Sequence, residues 1–324
     1  MKILYAGSPD ISIIPLLQIL KEANHEVVGL LTNPPSAQGR SKKLVLSPLA
    51  QFVLDHAEYA HIPVLAPERL DEACRQAVLA LKPDLLVCFA YGKIFGPKFL
   101  SLFPKGGINI HPSLLPKYRG CAPVPEAILN RDSQTGVSIQ EIALEMDCGD
   151  ILAQETIDLD GTETSESLLA DAAHISAKLI SPVLDAIENA SVKRQKQKAS
   201  SACYSSLFCK ADGLIDWNCS ALDIDAKIRA FTPWPGSFTY VEGKMLKILK
   251  ASVFSDSNTE EGETKKAGSV LARDKAGILI QTGEGILAVE QLQWHTKKAM
   301  YWKDFLNGTK DFIGAVCSTI EGKV

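Results

Sequence analysis

Short apolar runs rich in β-branched residues recur through the first half of the chain. Between several of them lie stretches in which apolar positions return every three to four residues. Lys2–Tyr5, Glu26–Thr32, Asp84–Phe89, Gly107–His111, Val137–Ile142 and Ile151–Ile157 have the length and composition of strands. Between them, Ile13–Ala23, Leu49–His56 and Asp71–Leu81 carry helical spacing. The alternation predicts an α/β fold with a doubly wound, mostly parallel, Rossmann-like sheet. A long helix from about Ser165 to Asn189 closes this half, with Thr164 or Thr162 as its N-cap and Glu in its first turn.

The pattern then changes. Residues 190–206 (ASVKRQKQKASSACYSS) lose apolar periodicity and gather Lys, Arg, Gln and Ser, the composition of an exposed basic linker. Beyond it a helical stretch, Ala221–Ala230, precedes short β-like runs at Ser237–Val241, Met245–Ala251, Ala267–Ala272, Gly277–Thr282 and Gly285–Leu292. Glu242-Gly243 and Gly283-Glu284-Gly285 have hairpin chemistry, and a small OB-like antiparallel β-barrel is the simplest closure. The expected organisation is one domain over 1–189, a linker over 190–206 and a second domain over 207–324.

Composition supports two globular domains: 324 residues, 46% hydrophobic and 22% charged, give ample core. No apolar run has the length to span a bilayer. The N-terminus passes from strand to turn without the apolar segment of a signal peptide. Eight scattered cysteines with no CxxC pair fit reduced thiols in the cytoplasm, not a disulfide framework or a zinc site. Net charge is −4, but it is uneven. Residues 1–189 carry 15 Lys and Arg against 23 Asp and Glu, a net of −8; residues 190–324 carry 19 against 15, a net of +4. A basic half joined to an acidic half is compatible with a polyanionic partner, and equally with chance distribution over solvated faces.

Candidate chemistry concentrates at the end of the fourth run. Residues i and i+2 of a strand face the same side, so Asn109 and His111 project together. That pairs an amide donor with an imidazole at a strand's C-terminal end, where open α/β sheets bind ligands. Gly7-Ser8-Pro9-Asp10 stands where a dinucleotide fold would carry G-x-G-x-x-G. It has one glycine, and Pro9 lacks an N–H for phosphate, which argues against a nicotinamide dehydrogenase. A second loop, Glu145-Met146-Asp147-Cys148-Gly149-Asp150, offers two carboxylates that could support a histidine, and local chemistry does not rank Asp147 against Asp150. No metal-ligand spacing such as HExxH occurs.

The run SLLPKYRG followed by AP, then TGVSI and MDCGDIL, resembles the signature of folate-dependent formyltransferases, in matching order over the whole first half. The resemblance implies 10-formyltetrahydrofolate as co-substrate, no metal, and a catalytic set of Asn109, His111 and, from the D-x-G-[DQ] context, Asp147. In that set Asn109 and His111 would donate to the oxyanion formed as an amine attacks the formyl carbon, a term of roughly 3–4 kcal/mol per donor. Asp147 would orient His111 and help move the proton. Ser113, Leu114, Leu115 and Pro116, with Phe89, Ala90, Tyr91 and Gly92, would line the folate pocket.

Two further features are similar to the branch acting on initiator methionyl-tRNA. One is the basic loop from Asn33 to Pro48, with Arg40, Lys42 and Lys43. The other is the second half, with Ile215-Asp216-Trp217, Phe231-Thr232-Pro233-Trp234-Pro235-Gly236 and Lys297-Lys298. With Lys193 and Arg194 these imply a tRNA-binding surface on a protein that is monomeric and free of the membrane. Formyltransferases of nucleotide-linked amino sugars share the β-rich second domain and stand as the alternative, as does a relative that binds RNA or folate without catalysis. The sequence departs from the family at Gln293–Thr296, where glycine usually precedes the lysines, and at Pro112, where glycine is frequent.

Overall fold

A computed structural model describes residues 1–22, 24–38, 43–255 and 265–319. In chain order the elements are β1 (Lys2–Gly7), α1 (Ile13–Lys21), β2 (Glu26–Leu31), β3 (Ser36–Gln38), β4 (Lys43–Val45), α2 (Pro48–Asp55), β5 (Val64–Leu65), α3 (Glu72–Leu81), β6 (Leu85–Phe89), α4 (Pro97–Leu100) and β7 (Gly107–His111). There follow α5 (Pro123–Leu129), β8 (Gln134–Glu141), β9 (Ile151–Asp158) and α6 (Ser165–Glu188). The remainder comprises α7 (Ala221–Ala230), β10 (Ser237–Val241), β11 (Lys244–Phe254), β12 (Val270–Asp274), β13 (Gly277–Gln281), β14 (Ile286–Trp294), β15 (Met300–Tyr301), α8 (Trp302–Gly308) and β16 (Cys317–Ser318). Two compact units result: Met1–Pro123 with Gln134–Asp158 and Leu168–Ser206, and Val124–Ser133 with Leu159–Ser167 and Leu207–Val324.

The first unit is built on a seven-stranded sheet in the order β5-β2-β1-β6-β7-β8-β9. The first five strands run parallel, and β8 and β9 are antiparallel additions. Alternation along β1 feeds two cores: Ile3 and Tyr5 pack on one face, Leu4 and Ala6 on the other. Both faces are therefore covered, which is why these strands read as continuous apolar runs. On β7, Ile108 and Ile110 enter the first of these cores, so Asn109 and His111 take the opposite face together, as the period of two predicts. Thr164 caps α6 by accepting from the Ser167 N–H at 3.2 Å.

Two stretches differ from the sequence reading. The basic loop is flanked by a short hairpin, Ser36 opposite Val45 and Ala37 opposite Leu44. Arg40 and Lys42 lie outside the described residues. Residues 190–206 are mostly exposed, as expected, but they also pair with the rest of the first unit: Ile151 bridges Gln195, and Arg119 bridges Tyr204. Backbone pairing, with the side chains of Arg194 and Gln197, holds this segment in place, and neither carries a periodicity signal.

The second unit is a sheet in the order β12-β13-β14-β11-β10-β16, with β15 on β14. A bridge from Ser269 to Val316 joins its two ends, so the expected barrel is present and no edge is left along that seam. Ile224 and Ile228 of α7 enter its core beside Leu246, Ile248 and Val289.

Candidate active site

Asn109 and His111 lie at the C-terminal end of β7, paired in register with Gln140 and Ser138 of β8. The turn after them is rigidly held. The Ser113 N–H donates across Pro112 to the His111 carbonyl at 2.9 Å, a three-residue turn that suits the fixed φ of proline. The Ser138 hydroxyl donates to the Ser113 carbonyl at 2.6 Å and accepts from the Leu115 N–H at 3.1 Å. Gln154 Nε2 donates to the Leu115 carbonyl and to Ser138 Oγ.

The Asp147 carboxylate is brought to this strand end, while Asp150 pairs through its backbone carbonyl with the Glu141 N–H as the chain enters β9. Both oxygens of Asp147 are engaged. Oδ1 accepts from Gln140 Nε2 at 2.7 Å and from Asn109 Nδ2 at 3.3 Å, and Oδ2 accepts from the Gly120 N–H at 2.8 Å. Two glycines make this possible. Gly120 has φ +108°, and a Cβ there would crowd the Ser205 hydroxyl. A Cβ on Gly149 would collide with the Glu141 carbonyl, which accounts for the D-x-G spacing.

His111 is oriented differently from the expectation. Its Nε2 lies 2.9 Å from the Tyr118 carbonyl, an oxygen that only accepts, so the ring carries its proton on Nε2. Nδ1 stands 3.7 Å from Asp147 Oδ2, beyond hydrogen-bond range. The Tyr118 carbonyl, not Asp147, therefore fixes the tautomer. The carboxylate is already filled by three other donors. A neutral His111 can then accept a proton at Nδ1 but cannot donate from it, which leaves Asn109 as the neutral donor of the pair. The Cys88 thiol, opposite Asn109 in the neighbouring strand, is pushed up to about 12 by burial and by the Asp147 charge, against a backbone hydrogen bond from Tyr91 that lowers it. It stays protonated and offers no nucleophile.

The remaining expected residues divide. Phe89 and Tyr91 bury their rings in opposite cores, so this segment offers a ligand backbone and not side chains, at the exposed Ala90 and Gly92. Ser113 and Leu115 are buried, while Leu114 and Pro116 are partly accessible. Lys43 is exposed on β4, Lys193 is exposed, and Arg194 pairs with Glu141 at 2.7 Å. Lys297 and Lys298 are exposed in the turn after β14. Sequence reasoning missed Gln140 and Gln197. Gln140 becomes visible only with the β7–β8 register, and Gln197 acts from fifty residues beyond Asp147.

Among the described residues, the one group spaced to hold a metal is His25, Asp185 and Glu188. The His25 ring nitrogens lie 3.3 Å from Asp185 and 3.6 Å from Glu188, and neither makes a hydrogen bond. No helix among the described residues is long and apolar enough to cross a membrane.

Residues 1–184 match the formyl transferase family, and residues 209–310 match the formyl transferase C-terminal domain. The chain is 49% identical over 318 residues to the methionyl-tRNA formyltransferase of Treponema denticola, covering 97% of this chain and 98% of that protein. In structure it is similar to HypX from Aquifex aeolicus in complex with tetrahydrofolic acid, with a TM-score of 0.63 and 18% identity over 96% of this chain and 48% of that one. It is also similar to an N-formyltransferase from Helicobacter canadensis in complex with folinic acid and dTDP-3-aminofucose. There the TM-score is 0.64 and the identity 20%, over 89% of this chain and 99% of that one.

Proposed function

The chain belongs to the methionyl-tRNA formyltransferase family, and from that premise we infer that it moves the formyl group of 10-formyltetrahydrofolate onto the α-amino group of initiator methionyl-tRNA. The observation that carries the site assignment is the convergence of Asn109, His111 and Asp147 at one strand end.

The amine nitrogen attacks the formyl carbon, the bond from that carbon to N10 of the folate breaks, and one proton passes from the attacking nitrogen to N10. Asn109 Nδ2, steadied by Asp147 Oδ1, donates to the oxygen that becomes negative. His111, with Nε2–H committed to Tyr118, receives the amine's proton at Nδ1. The imidazolium that forms faces Asp147 Oδ2, and this pairing stabilises it at the moment it appears. The Ser113–Pro116 turn and the backbone of Ala90–Gly92 supply the folate side. The basic loop with Arg40, Lys42 and Lys43, the segment with Lys193 and Arg194, and Lys297-Lys298 supply the tRNA side. The same reading places the protein in the cytoplasm, as a monomer active without metal.

The test is a single mixture of purified protein, 10-formyltetrahydrofolate and charged initiator methionyl-tRNA, with N-formylmethionine measured after mild deacylation. Formylation of the tRNA, with nucleotide-linked amino sugars left untouched, is the expected result. Activity on an amino sugar alone would keep the catalytic set and overturn the tRNA assignment.

A further inference from the structure

The segment 190–206 returns to the catalytic loop through one side chain. Gln197 Oε1 accepts from the Arg119 guanidinium at both Nε (3.0 Å) and Nη2 (2.8 Å). Arginine only donates, so the amide orientation of Gln197 is fixed and its Nε2 must face the other way. There its two hydrogens are shared among three acceptors, the backbone carbonyls of Asp147 and Gly149, each at 2.8 Å, and Gln140 Oε1 at 3.1 Å. That contact fixes the second amide in turn: with Oε1 accepting, Gln140 presents Nε2 to Asp147 Oδ1 at 2.7 Å. The order of donors and acceptors runs one way, from a cation to a carboxylate, and no member can flip alone.

We propose that Gln140 and Gln197 are positioning residues for formyl transfer, forming a relay from Arg119 that sets both the backbone and the carboxylate of Asp147. The proposal rests on the reading of Asn109, His111 and Asp147 as the catalytic set. Three observations support a role beyond packing. Gln197 grips the two peptide carbonyls that bracket Cys148, so it holds the loop on either side. Gln140 is 1% exposed, and it shares Oδ1 with Asn109, so its loss frees the carboxylate to turn away from the amide that meets the oxyanion. Arg119 is 6% exposed and is further held by Tyr204, whose hydroxyl accepts at 3.2 Å, so the far end of the relay is anchored. Buried networks of this kind are costly when partly satisfied and specify one geometry when complete.

Gln197→Glu keeps the shape and the contact with Arg119 but removes every donor on the far side. Gln140→Met removes the donor to Asp147 within a buried site. In the initiator tRNA assay, kcat per folded molecule is expected to fall about 100-fold for Gln197→Glu, the scale of a misplaced catalytic group, with KM for both substrates within about threefold. Gln140→Met shows the same split, with the smaller drop. Because the two act in series, the double variant should be no slower than the worse single one, whereas independent effects would multiply. A merely structural role would lower the melting temperature and leave kcat per folded molecule intact. Wild-type formylation with unchanged kcat in the variants, or with multiplying losses in the double variant, overturns the relay and leaves the family reading standing. A wild-type chain that fails to formylate methionyl-tRNA brings down that reading and the relay with it. Should Gln197→Glu not fold, Gln140→Met decides through the same kcat-against-KM split.

Discussion

Asp147 has φ +54°, in the left-handed region that Asp and Asn tolerate better than most residues. Asp147→Asn therefore preserves the backbone and tests the carboxylate alone. Whichever way the new amide turns, its NH2 meets a donor: Gln140 and Asn109 on one side, or the Gly120 N–H on the other. A drop in kcat of at least about 100-fold is expected, the size of losing one oxyanion-type interaction. Asp150→Asn should leave kcat near the wild-type value, and steady-state formylation kinetics of the two variants check this; the reverse order would assign catalysis to the wrong carboxylate. How much of this site the sequence discloses follows from range. Asn109 and His111 are legible because the strand period is local, whereas Asp147 is singled out only by the D-x-G resemblance, because the clash that requires Gly149 is with the Glu141 carbonyl at the end of β8. The tautomer of His111 is not, since it depends on where the turn returns the Tyr118 carbonyl.

Elements with strong periodicity stand where the pattern places them, including the strands of the first sheet, the long α6 and the barrel strands. Short pieces such as β5, β15 and β16 have too few residues to display a period and form only because a neighbouring strand offers partners. The turn after β14 shows the converse, where a departure from family habit has a local consequence. The Lys297 N–H donates to the Trp294 carbonyl at 2.9 Å, and Thr296 sits at φ +67°, the position that such turns reserve for glycine. A β-branched residue there is strained, at a cost of about 1–3 kcal/mol. Thr296→Gly relieves that strain and adds back about 0.5–1 kcal/mol of chain entropy cost. A net gain of about 1 kcal/mol follows from these two figures. Thermal melts should show a raised midpoint with kcat unaltered, and a lowered midpoint would mean the turn carries no strain.

At the scale of the whole molecule, charge is the property that sequence discloses best, because it sums without regard to register. Residues 190–324 carry a net of +4, and among the described residues Lys297 and Lys298 are exposed, whereas Arg194 is already paired with Glu141. An exposed, unpaired lysine that meets a phosphate releases a counterion, so its removal should weaken binding in a salt-dependent way. Changing both Lys297 and Lys298 to Ala is expected to raise KM for the tRNA while leaving kcat and the KM for folate in place. Plotted against the logarithm of salt concentration, the logarithm of kcat/KM should fall less steeply by about 0.7–0.9 per lysine lost from a phosphate contact. Arg40→Ala tests the basic loop by the same plot. An unchanged slope in the lysine variant would detach the second domain's charge from the tRNA, and the basic half would then be no more than a solvated face.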